Sequence, residues 1–69
     1  MLSNIFYDVE YKTNETDYWL TAKSGFINPF TCIDCAKEYL EERKKNGVVV
    51  TATRLIKRTI YSETIQEGV

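Results

Sequence analysis

Histidine is absent from this 69-residue chain, proline occurs once, cysteine twice and glycine three times. Each scarcity excludes a chemistry. Without histidine the Ser-His-Asp and Cys-His nucleophilic arrangements cannot be built, and the commonest general base is missing. Gly25, Gly47 and Gly68 stand too far apart for a phosphate-cradling or dinucleotide-binding loop. Two cysteines supply only half of a four-ligand zinc site. No apolar run approaches the roughly 20 residues that span a bilayer. Met1-Leu2-Ser3-Asn4 lacks the basic stretch and apolar stretch of a secretion signal. These features lead us to expect a cytoplasmic protein, no cofactor and no enzyme activity. Asn14-Glu15-Thr16 matches a glycosylation acceptor, read here as turn chemistry because no secretory signal accompanies it.

What is present argues for folding. Hydrophobic residues make up 43% of the chain and aromatics 13%, beside a net charge of −1, a balance that favours a packed core over disorder. The length fits one small α+β domain over 1–69, with a hairpin at 5–23, a helix at 32–46 and a β-rich segment at 48–65. Such a core supplies only a few kcal/mol, about 3–5, so a partner subunit would help it.

Ile5, Tyr7, Val9 and Tyr11 alternate with polar neighbours, the period of a half-buried strand. Tyr18, Leu20 and Ala22 repeat the pattern. A turn about Asn14-Glu15 sets Tyr11 opposite Tyr18, Val9 opposite Leu20 and Tyr7 opposite Ala22. The other face then carries Phe6, Asp8, Glu10, Trp19, Thr21 and Lys23. Thr31-Cys32-Ile33-Asp34 has the spacing of a helix cap. From Cys32 onward, Cys32, Ile33, Cys35, Ala36, Tyr39 and Leu40 form one apolar arc, broken by Arg43 in the last turn. Asn46-Gly47 supplies the stop.

Residues 48–65 contain neither glycine nor proline and are dense in β-branched side chains, which predicts β structure. A strand is expected near 49–57, followed by a second strand or an arm to about residue 65; the competing reading makes 52–60 helical through Ala52, Leu55, Ile56 and Ile60. Residues 66–69 are expected to fray. The sheet is therefore antiparallel, in ββαβ(β) order, with the helix on one face.

Four constellations are candidates for function. Phe6, Asp8, Glu10, Glu15, Asp17 and Trp19 compose an aromatic and acidic surface suited to a protein partner; otherwise the acids are solvated. Arg54, Lys57 and Arg58 with Tyr61 would serve a nucleic acid by phosphate neutralisation and base stacking, against a salt-bridged β face beside the acidic hairpin. Cys32 and Cys35 have the Cys-x-x-Cys spacing of a redox site, or half of a zinc site shared by a dimer, against two structural core cysteines. Ile56, Ile60 and Ile65 would pack against a second copy, giving a homodimer, whereas charged residues protect the edge of a monomer.

Tyr7-Asp8-Val9-Glu10-Tyr11, Ala36-Lys37-Glu38-Tyr39-Leu40-Glu41-Glu42-Arg43 and Arg54-Leu55-Ile56-Lys57-Arg58-Thr59 together resemble small bacteriophage and mobile-element accessory proteins of ββαβ type. That group includes anti-CRISPR and other anti-defence inhibitors. The resemblance spans 5–65 and implies stoichiometric binding to a host or defence protein, or to a protein–nucleic-acid complex, with no catalytic residues to carry over.

Overall fold

The computed structural model describes residues 4–69; Met1-Leu2-Ser3, part of the segment read for targeting, lies outside them. Four strands and one helix follow in the order β1 (Phe6–Thr13), β2 (Leu20–Phe26), α1 (Pro29–Lys45), β3 (Val50–Arg58) and β4 (Ser62–Glu67). The sheet is antiparallel with strand order β2-β1-β3-β4, an α+β fold of ββαββ sequence. No helix among the described residues is long and apolar enough to cross a membrane.

β1 and β3 are the inner strands, paired on both edges, and β1 packs its apolar residues under the helix. Val9 and Tyr11 are buried, and they form one cluster with Ala22, Cys32, Ala36, Leu40 and Leu55. Removing a valine or leucine side chain from water in this way contributes about 1.5–3 kcal/mol. The Tyr11 ring meets Tyr39 edge-on, with centroids 6.1 Å apart at 64°, a favoured aromatic geometry. Leu55 enters the cluster from β3, whose register places it beside Val9.

The hairpin register differs from the sequence expectation. Tyr11 pairs with Leu20, Val9 with Lys23 and Tyr7 with Phe26. Asn-Glu is not one of the glycine-containing pairs that a two-residue primed turn requires, and residues 14–19 make a longer loop. Thr13 and Thr16 fasten it: Thr16 Oγ1 accepts from the Thr13 N–H at 3.0 Å, and Thr13 Oγ1 accepts from the Glu15 N–H at 3.2 Å. Tyr18 and Trp19 therefore lie before β2 rather than within it. Two register shifts in β2 also bring Lys23 to the helix side, where its Nζ lies 5.4 Å from the Tyr39 ring centroid.

The helix cap lies three residues earlier than expected, at Asn28 rather than Thr31. Asn28 is extended and its Oδ1 accepts from the backbone N–H groups of Phe30 and Thr31 at 2.8 and 3.2 Å. Pro29 takes the first helical position, where its missing N–H costs nothing. At the other end Gly47, at φ +87°, lets the Gly47 N–H reach Lys44 O at 3.0 Å and the Val48 N–H reach Arg43 O at 3.1 Å. That paired closure is the Schellman stop.

Residues 50–58 are strand, not helix. Cross-strand pairing along β1 outweighs the four apolar positions that also fit a helical period. The expected fraying of 66–69 is overturned as well. Glu67 ends β4, the Gly68 N–H donates to Thr53 O at 2.8 Å, and Thr53 Oγ1 donates to Val69 O at 2.9 Å. Val69 packs against the core cluster.

Candidate functional site

Alternation along β1 turns Phe6, Asp8, Glu10 and Lys12 to the face away from the helix, and the β1–β3 register sets Arg58, Ile56, Arg54 and Ala52 beside them. The acids are not a free surface. Asp8 is 5% and Glu10 8% exposed, because β3 arginines lie across them.

Each carboxylate is compensated. Asp8 Oδ1 accepts the Gly25 N–H at 2.9 Å, and its Oδ2 accepts Arg58 Nε. Gly25 has φ +77°, a backbone state that glycine adopts without a Cβ penalty. Glu10 Oε1 accepts Arg54 Nε at 2.8 Å and lies 2.6 Å from its NH2, while Glu10 Oε2 meets Arg58 NH2 at 3.5 Å. Arg58 NH1 continues to Ser62 Oγ at 2.9 Å. One polar chain thus crosses β2, β1, β3 and β4. Pairing satisfies these buried charges, which would otherwise be strongly destabilising.

Trp19 completes this face from the β1–β2 loop. Arg54 Cζ lies 4.0 Å from its ring centroid and Lys12 Nζ 4.8 Å, both within cation–π range. The expected aromatic–acidic surface is therefore divided. Trp19, Asp8 and Glu10 belong to one internally bonded network, Phe6 lies at one end of the sheet, and exposed Glu15 and Asp17 lie in the loop at the other.

The basic constellation is divided too. Arg54 and Arg58 are held by Glu10 and Asp8, Lys57 points to the opposite face, and Tyr61 stands 76% exposed beyond β3. The positive charge that phosphates would meet is already compensated within the sheet. This is the salt-bridged face that the sequence offered as the plainer reading.

Cys32 is fully buried and its thiol donates to Tyr7 O at 3.4 Å. Burial is the main cause that raises its pKa above the ordinary thiol value, with the Asp8 charge adding to it. A covered thiol with a raised pKa is opposite to the exposed, acidified thiolate of a redox centre. Cys35 is half-buried and unpaired. Among the described residues no three Cys, Asp or Glu side chains converge as metal ligands. Burial likewise raises the Tyr11 phenol, Tyr39 adding to the effect.

The isoleucines proposed for a dimer also separate. Ile56 is 3% exposed within its own sheet, so it is unavailable to another copy, whereas Ile60 is 89% and Ile65 44% exposed.

Sequence reasoning missed Ile27 and Phe30, which are 81% and 75% exposed. They flank Asn28-Pro29 and fall before the apolar arc of the helix. The one available signal was two large apolar side chains beside a breaker with no periodic partner. The register sets them at the same end of the sheet as Phe6, since Tyr7 pairs with Phe26; the β3–β4 turn is there also, since Phe6 pairs with Arg58. No protein-family model matches the chain, and neither a curated protein nor a solved structure is detectably similar to it.

Proposed function

We propose that the chain is a non-catalytic protein-binding module, an inhibitor or modulator of a host or defence protein complex, and that it docks with the apolar end of its sheet. The observation carrying this reading is the gathering of Phe6 from the start of β1 with Ile27 and Phe30 from the β2–α1 corner, exposed by 40%, 81% and 75%, to that end. Covering apolar surface stabilises a complex by about 25 cal/mol per Å² before the costs of association, and phenylalanine is enriched in interface cores. Acidic mimicry of nucleic-acid phosphates plays no part in the proposal, because Arg54 and Arg58 already neutralise Glu10 and Asp8. The phage-type setting rests on the resemblance of residues 5–65.

The test is affinity capture from bacterial lysate with the full chain and with an Ile27→Glu, Phe30→Glu variant, each first shown to unfold at the same urea midpoint. We expect a stoichiometric protein complex with the parent chain and its loss with the variant. Equal recovery by both would remove the proposed surface. Submicromolar binding to single-stranded DNA or RNA that weakens steeply with salt would favour the nucleic-acid reading instead.

A further inference from the structure

β4 is held differently from every other element. All six of its residues are exposed, and among the described residues β4 packs against β3 alone, while the helix rests on β1, β2 and β3. The connection to it, Thr59-Ile60-Tyr61, is built from residues that favour strands, with no glycine, proline, asparagine or aspartate to make the reversal. It leaves Ile60 89% and Tyr61 76% exposed. Its internal bonds all join Thr59 to Tyr61: the Thr59 N–H donates to Tyr61 O at 2.9 Å, and Thr59 Oγ1 accepts the Tyr61 N–H at 3.2 Å and donates to Tyr61 O at 3.4 Å. Few buried contacts and an exposed ladder mark a segment that opens locally.

From this geometry we infer that the chain exchanges β4 with a second copy of itself. The register supplies the argument. Arg58 pairs with Ser62, Lys57 with Glu63 and Ile56 with Thr64, three pairs centred on Ile60. When the turn straightens, those same pairs form between two chains about a two-fold axis, with Ile60 facing Ile60 of the other copy. A residue facing its own mate is the arrangement that two-fold symmetry permits in an antiparallel ladder, since both side chains then lie on one face. Every β3–β4 bond is regained, Lys57 still faces a Glu63, and the exposed Ile60 gains a cover. β3 stays in place throughout, because Leu55 is in the core and Arg54 and Arg58 are tied to β1. The exchange rests on β4 and its turn and needs neither Ile27 nor Phe30, although both lie at the same end of the sheet as that turn.

Charge reversal tests it directly. Lys57→Glu alone and Glu63→Lys alone each place like charges opposite one another, both within a chain and between identical chains. An equimolar mixture restores both opposite-charge pairs only if β4 crosses between copies. Light scattering is expected to give twice the 8.0 kDa chain mass for the mixture, with association at least about tenfold tighter than for either variant alone. Ile60→Asn with Tyr61→Gly, which supplies a tight-turn pair, is expected to keep the otherwise unaltered chain at a single-chain mass at millimolar concentration. A mixture that stays at single-chain mass, or that associates no better than its components, overturns the inference. Dimerisation of the Asn-Gly turn variant equal to that of the parent chain does so as well.

Discussion

Arg54 joins Glu10 to Trp19: its Nε donates to Glu10 Oε1 at 2.8 Å while its Cζ lies 4.0 Å from the indole centroid. Among the described residues the Glu10 carboxylate has one other ion-pair partner, Arg58, at 3.5 Å. Arg54→Ala should therefore leave a buried carboxylate poorly matched. Breaking a fully buried pair costs about 3–5 kcal/mol; the Arg54 side chain is 27% exposed, so solvent reduces the expected loss to about 2–3 kcal/mol. Urea unfolding followed by the fluorescence of Trp19 measures it. The double variant Glu10→Gln, Arg54→Met should recover more than half of the loss, and a double variant no more stable than Arg54→Ala would contradict the pairing.

The helix start offers a second measurement. Asn28 Oδ1 receives two backbone N–H groups, whereas Thr31 lies inside the first turn. Asn28→Ala is expected to lower stability by about 1 kcal/mol. Thr31→Ala, at an exposed helical position, should change it by less than about 0.5 kcal/mol. Reversed magnitudes in chemical denaturation would return the cap to Thr31.

The two thiols should react at different rates. Cys32 is fully buried and its sulfur donates to Tyr7 O, while Cys35 is half-buried. Labelling of the native protein at neutral pH should modify Cys35 first and Cys32 only as the domain opens. Peptide mapping distinguishes the sites, and simultaneous modification would place Cys32 outside the core.

Alkaline pH should destabilise the domain. The Cys32 thiol is raised from 9.0 and the Tyr11 phenol from 10.0, each chiefly by burial. In both cases the unfolded chain loses its proton first. Stability is thus unaffected by these groups below pH 9, then falls as pH rises through the unfolded and toward the folded values. Cys32→Ala should delay the onset of that decline from about pH 9 toward about pH 10, where Tyr11 takes over. Urea midpoints collected from pH 7 to 11 check the order, and an unchanged onset in Cys32→Ala would exclude the thiol as its source.

The sequence by itself determined the elements whose signals are local. Alternation from Ile5 to Tyr11, the helical arc from Cys32 to Leu40 and the β-branched stretch after Gly47 are each readable from successive residues, because side-chain direction follows the backbone period. The α+β class followed from them, whereas the face of the sheet that the helix covers did not. Only tertiary structure decided which partners those strands met. Tyr18 alternated correctly and still fell outside β2, since the loop fastened by Thr13 and Thr16 moved the register. Asp8 and Glu10 read as a surface until β3 set Arg58 and Arg54 across them, a contact separated by more than 40 residues in the chain. Ile27, Phe30 and Phe6 carried no shared pattern, because nothing periodic links a strand start to a helix corner. Pairing between distant segments depends on register and on which edge is free, and neither is encoded in any one window of sequence.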